Sequence, residues 1–131
     1  MDIISRNLEV VDQHIRSEAQ DVDSVLGLYT DDIILSIPSR GIELHGKASI
    51  RAMYLRLFGA MRDIELYPLD RFATADRVVD DMRVILTIAN EGIDNCPLPI
   101  GSRAELRLIH HFQMRDGLIA KEEVFEVWRA L

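Results

Sequence analysis

Two histidines stand side by side near the end of the chain, His110 and His111, and a glutamate, Glu122, follows a short way on. Neighbours on a strand point to opposite faces, so the two imidazoles cannot grip one ion. Between His111 and Glu122 lies Arg115-Asp116-Gly117. Asp-Gly there predicts a three-residue hairpin turn with glycine in the left-handed conformation. Met114 then lies opposite Leu118, Phe112 opposite Ala120, His110 opposite Glu122 and Leu108 opposite Val124. The face holding Leu106, Leu108, His110, Phe112, Ala120, Glu122 and Val124 is apolar apart from that pair and Glu126 near the strand end. An imidazole beside a carboxylate in a dry wall is poised for proton transfer. The carboxylate fixes the tautomer and raises the histidine pKa, while burial lowers it. The same pair also fits a plain structural hydrogen bond within a core.

The elements that must position this pair follow from hydrophobic spacing. Ile4, Leu8, Val11 and Ile15 recur at four- and three-residue steps and predict a first helix. Asp21 suits the N-cap of a second, whose stripe is Val22, Val25, Leu26 and Tyr29. Ile33 to Ile37 reads as a buried strand stopped by Pro38, and 39–46 as loop. A third helix is expected from about Lys47 to Phe58, with Ile50, Met53, Tyr54, Leu57 and Phe58 inward and Gly59 at its end. Period two then takes over. Residues 63–74 form a strand in which Pro68 marks an edge or bulge. Met82, Val84, Leu86 and Ile88 alternate on the next strand, 90–101 is a long loop, and strands near 103–114 and 118–128 close the hairpin. Helices first and a meandering sheet afterwards give an α+β class.

Composition excludes several functions. With 131 residues, 48% apolar and 28% charged, the chain is expected to be one globular domain, 1–131. Its net charge of −7 argues against nucleic acid. No apolar run reaches the length of a membrane span, and no signal peptide is expected, since Met1-Asp2-Ile3-Ile4-Ser5-Arg6 lacks a basic n-region and a long apolar h-region. The single cysteine, Cys96, cannot form an intrachain disulfide, which fits the cytoplasm. No zinc-ligand spacing, phosphate loop or Gly-x-Ser-x-Gly motif occurs, so no metal and no cofactor are assigned. Asp31-Asp32 and Asp80-Asp81 read as solvated pairs. Arg103, Glu105, Arg107, Ile109, His111, Lys121, Glu123 and Phe125 make the opposite, convex face. Ile109, Phe125 and Val127 are too apolar to leave in water as one patch and predict a homodimer through that face.

Three segments occur in a fixed order: Leu28-Tyr29-Thr30-Asp31-Asp32 running into Ile33-Ile34-Leu35, then Gly46-Lys47-Ala48-Ser49-Ile50-Arg51, then Phe112-Gln113-Met114-Arg115-Asp116-Gly117-Leu118-Ile119. Together they resemble the nuclear-transport-factor-2-like (NTF2-like) and SnoaL-like superfamily, which includes ketosteroid isomerase. The resemblance implies a cone: three N-terminal helices packed on a strongly curved antiparallel sheet that encloses a pocket. It places Tyr29 and Tyr54 where ring residues support the isomerase's oxyanion site, and His110 where that family has a protonated aspartate. Ile37 stands at the position of its general base and Gln13 at that of its oxyanion tyrosine. Val124 falls near the aspartate of SnoaL-type cyclases. Scytalone-dehydratase-like relatives pair histidine with a carboxylate, an arrangement His110 offers with Glu122 or with Glu18.

The expectation is therefore a small enzyme without cofactor that moves protons on a hydrophobic ring-bearing molecule, by isomerisation, dehydration or cyclisation. It is not a standard ketosteroid isomerase. His110 would be acid or base, Glu122 its orienting partner and Tyr54 a donor to the substrate. Gln13, Glu18, Tyr29, Leu35, Ile37, Met53, Phe58, Val84, Leu86, Leu108, Phe112 and Val124 would line the pocket. The alternative is a non-catalytic ligand-binding or assembly module whose pocket is filled by its own side chains. An open cavity with His110 in its wall separates the two.

Overall fold

The computed structural model describes all 131 residues. Helix α1 (Ile3–Ser17) starts at Asp2, whose carboxylate accepts the Ser5 N–H at 2.8 Å. Its buried residues are Asn7, Val10, Val11 and His14, while Ile4 is exposed. The helix is thus rolled by about one position from the Ile4–Leu8–Val11–Ile15 stripe. The Asn7 amide accounts for the roll: it donates to the Thr74 and Ala75 carbonyls at 3.3 and 2.9 Å, which pins that face to the β3–β4 turn. Helix α2 (Val22–Leu26) is capped by Asp21 and is a turn shorter than its apolar spacing predicts. Tyr29 instead opens strand β1 (Tyr29–Ile37).

After a short 3-10 turn (Pro38–Arg40), strand β2 (Ile42–His45) occupies what the sequence marks as loop. Helix α3 (Lys47–Gly59) leads to β3 (Met61–Ala73), β4 (Arg77–Ile88), β5 (Arg103–Arg115) and β6 (Leu118–Ala130). The sheet order is β2-β1-β6-β5-β4-β3. The sheet is mixed rather than wholly antiparallel, because the first long strand and the last lie side by side in the same direction. Breaks in register between Arg62 and Glu65, and between Pro68 and Asp70, interrupt the edge strand β3, the kind of bulge that bends and twists a sheet. The helices fill the concave side. The convex side is laced with ion pairs such as Arg107–Asp81 and Arg83–Glu105.

The last hairpin departs from the expected register. Its turn is the two-residue Asp116-Gly117, both at positive φ (53° and 75°), which joins Arg115 directly to Leu118. Gln113 pairs with Lys121 and Met114 with Ile119, so Ala120 is an extra residue on β6. The net displacement is two residues. His110 stands opposite Val124, and Phe112 opposite Glu122. A slip of two preserves the face of every side chain. His110 and Glu122 are both buried on the concave side, but as diagonal neighbours rather than partners.

Candidate active site

The concave face carries more buried charge than its apolar pattern suggests. Glu122 is 1% exposed. Its Oε1 accepts the Tyr29 hydroxyl at 2.9 Å and the Tyr54 hydroxyl at 3.2 Å, and lies 3.3 Å from His14 Nε2. The two tyrosine oxygens are 3.1 Å apart. Each hydroxyl has one proton, so that of Tyr54 goes to Glu122 or Tyr29, which leaves only its oxygen lone pairs for the cavity. His14 Nε2 is also 3.2 Å from Glu18 Oε2, one helical turn along α1. Its Nδ1 has no hydrogen-bond partner. Phe112 separates the two histidines, edge-on to His14 and stacked on His110.

His110 takes its carboxylate from β4. Its Nδ1 lies 3.6 Å from Asp80 Oδ2, an ion-pair distance rather than a hydrogen bond. Asp80 Oδ1 accepts Arg71 Nε at 2.7 Å, and Arg71 Nη1 reaches Asp12 on α1 at 3.0 Å. This orientation aims Nδ1 at Asp80 and leaves Nε2 for other partners.

The charges sort the titrating groups. Burial pushes the Glu18 carboxyl above its ordinary value, against the pull of His14 and His110. Burial also acts upward on Glu122, yet the charges of His14 and His110 and the Tyr29 hydroxyl outweigh it and hold Glu122 below its ordinary value. Burial alone would lower both histidines. The carboxylates of Glu122 and Glu18 reverse this for His14, and those of Asp80, Glu122 and Glu18 for His110, so both are raised. Burial and the Glu122 charge lift Tyr29 and Tyr54 far above the usual phenol value, so neither ionises. Two carboxyl groups driven in opposite directions within one site is the pattern that separates an acid from a base.

A cavity of about 90 Å³ opens beside these groups, with 17 of its 22 lining residues hydrophobic. At roughly 30 Å³ per water the enclosed part takes about three waters, less than the roughly 150 Å³ of a cavity that holds benzene, so a ring compound extends from it into the open mouth. Glu18, Tyr54, His110 and Glu122 line it, together with Leu35, Ile37, Met53, Phe58, Val84, Leu108 and Val124. Four expected lining residues do not. Gln13 points to solvent because the roll of α1 turns His14 inward in its place. Tyr29 lies behind the wall and reaches Glu122 from the far side. Leu86 packs in a second core with Ala60, Ile88 and Ile93. Phe112 is fully buried under the histidines.

Several site residues escaped the sequence reading. His14, four residues before the expected Glu18, shares a helix face with it and with Val10 and Val11, a spacing that could have marked it. Asp80 was expected in solvent beside Asp81. Its parity with Val78, Met82 and Val84 instead puts it on the concave face, where it is 2% exposed. Arg40, in a turn after Pro38, had no periodicity to give it away. It is 5% exposed and pairs with Glu126 at 2.9 Å.

The curved sheet with its helices is shared with many solved structures. A candidate SnoaL-like polyketide cyclase from Jannaschia sp. CCS1 superposes with a TM-score of 0.82 at 20% identity, covering 96% of this chain and 88% of that one. An LEH-like epoxide hydrolase of M. tuberculosis gives 0.72 at 16% identity, over 95% and 84%. An NTF2-like protein of unknown function from Cytophaga hutchinsonii gives 0.73 at 14% identity, over 95% and 99%. These likenesses establish the NTF2-like fold. No curated protein matches the sequence. The sequence model of the SnoaL-like domain matches residues 11–122, most of the chain, and the protein therefore belongs to the SnoaL-like domain family.

Proposed function

We propose that this protein is a small enzyme that transfers protons on an apolar, ring-bearing molecule held in the cone cavity, with isomerisation, dehydration or cyclisation as the outcome. The observation that carries the reading is the meeting of His110, Glu18 and Glu122 at the wall of one open, largely apolar cavity. The polyketide cyclase and epoxide hydrolase descriptions of its structural neighbours are in keeping with it.

The division of labour follows from the geometry. His110, with Nδ1 turned to Asp80, takes a proton from a carbon or hydroxyl at Nε2, and Asp80 stabilises the imidazolium that results. Glu18, whose carboxyl burial keeps protonated more readily, returns a proton to the developing oxyanion or leaving group. Glu122 stays ionised and keeps His14, Tyr29 and Tyr54 in place. Tyr54 thereby becomes a positioning residue for Glu122 rather than a donor to substrate. The chain's own side chains supply both proton acceptor and proton donor.

The test needs no natural substrate. Small ring ketones and acetophenones are incubated with the protein in deuterated buffer, and loss of the α-proton signal is followed by NMR. The unmodified protein should accelerate exchange for at least one of them. His110→Gln and Glu18→Gln should each lower that rate by roughly 10²–10⁴-fold. Exchange that is never faster than in buffer, or is unchanged in His110→Gln, contradicts the assignment.

A further inference from the structure

The cavity has a second polar end that the proton-transfer groups do not use. Glu122, Val124, Glu126 and Trp128 alternate along the concave face of β6, and all four line the cavity. Glu122 and Glu126 are four residues apart, about 13 Å along a strand. At the Glu126 end stands Arg40, its side chain 2% exposed against 4% for Glu126. Arg40 Nε and Nη2 donate to the two carboxylate oxygens at 2.9 and 3.4 Å. Nη1 donates to the Asp94 carbonyl at 2.7 Å. The Trp128 indole N–H donates to Glu126 Oε1 at 3.0 Å.

A guanidinium has five N–H donors, and these contacts use three. Two remain in a wall that is otherwise largely apolar, where an unspent donor is costly. The charge, by contrast, is already balanced, because Glu126 faces Arg40 through both oxygens. This end therefore offers hydrogen bonds without offering net charge. An anion would have to displace Glu126. A carbonyl or hydroxyl oxygen would simply accept the free N–H groups.

We propose that the Arg40–Glu126–Trp128 cluster is a binding subsite for a neutral oxygen substituent on the end of the substrate remote from the reacting carbon. Resting on the proton-transfer reading above, this narrows the substrate class to a flat ring compound with oxygen functions at opposite ends. One end meets His110 and Glu18, the other Arg40, and the apolar middle lies against Ile37, Val124 and Leu108. The same cluster ties the 90–101 loop to the sheet, since Asn95 donates to the Arg40 carbonyl at 2.7 Å. Substrate engagement at Arg40 thus takes place on a fixed frame.

The probes are acetophenone, 4-hydroxyacetophenone and 2-hydroxyacetophenone, titrated into the unmodified protein and followed by NMR. The para-hydroxy compound should bind about tenfold or more tightly than acetophenone, as expected for a hydrogen bond to a charged group. The ortho isomer should show no such gain. In the doubly neutral, similarly sized variant Arg40→Gln/Glu126→Gln, the para advantage should fall below about threefold. Trp128 is the only tryptophan, so its indole N–H gives a single resonance in the unmodified protein. The para compound should move it and acetophenone should not, a readout that stands even if the double variant fails to fold. Equal binding of para and ortho isomers, an advantage that persists in the double variant, or an indole signal that ignores the para-hydroxyl would each overturn the subsite. Proton exchange is read from the same samples. Selective binding without exchange would sink the proton-transfer reading alone, and exchange without selective binding would sink the subsite alone.

Discussion

Nδ1 of His110 lies 3.6 Å from Oδ2 of Asp80, on adjacent strands of the concave face, and both side chains are almost fully buried. Asp80 is itself held by Arg71 at 2.7 Å through Oδ1, while Oδ2 faces the histidine. Asp80 is thereby placed to orient His110 in the proposed reaction.

Replacing Asp80 by Asn removes the nearest anion from His110. Its titration midpoint, read from the ring proton shift in NMR, should move down. The change also leaves Arg71 with Asp12 as its remaining carboxylate partner and should cost about 1–3 kcal/mol in urea unfolding. An unmoved midpoint would show that Asp80 does not govern His110.

Stability should peak in mildly acid solution. Glu122 is depressed below its ordinary 4.5 and Asp80 below 3.8, so their contributions are present above those values and fade as pH falls through the folded values. His14 and His110 are raised above 6.5, so their contributions are complete below 6.5 and are lost as pH rises through the folded values. Glu18, raised above 4.5, also favours the acid side. Thermal midpoints measured across pH should therefore fall on both sides of the 4.5–6.5 window. His14→Gln should flatten the alkaline limb. A melting temperature that climbs steadily through neutrality would contradict the network.

Ile109, Phe125 and Val127 are 38%, 45% and 69% exposed on the convex face, with Ile109 and Phe125 directly opposed. A homodimer through this patch remains our proposal. Sedimentation at micromolar concentration should give a dimer, and Phe125→Glu should shift it to monomer. A monomeric unmodified protein would remove the proposal.

Ile37 is 3% exposed and lines the cavity, at the position that the sequence resemblance matches to the general base of a ketosteroid isomerase. The unmodified protein should not isomerise a 3-oxo-Δ5-steroid at a useful rate, and the cavity is small for four fused rings. Ile37→Asp should introduce at most trace activity and should destabilise the fold by roughly 2–7 kcal/mol, the cost of an unpartnered polar group in an apolar wall. Efficient steroid turnover by the unmodified protein would mean that another residue acts as base.

The cone was legible because alternation and helical spacing survive small errors. The expected hairpin lies two residues out of register, yet His110 and Glu122 fall on the expected face because a slip of two keeps parity. What the sequence hid was partnership. One extra residue, Ala120, and a tighter turn put Val124 opposite His110, and the β4–β5 register puts Asp80 directly across from it on the other side. Asp80 looked like a surface acid because it sits beside Asp81, although its own parity is inward. Gln13 and His14 differ by one step on a helix, and the roll set by Asn7 decided which turned in. Arg40 lies in a turn, where no period predicts burial.

The proposed reaction rests on His110 as the proton-transfer group. The most direct test compares two pH curves from one sample: the rate of α-proton exchange of a bound ring ketone, and the NMR titration of His110. The inflection of the rate should coincide with the His110 midpoint, and in Asp80→Asn both should move down together. A rate profile that stays in place while the His110 midpoint moves would contradict it.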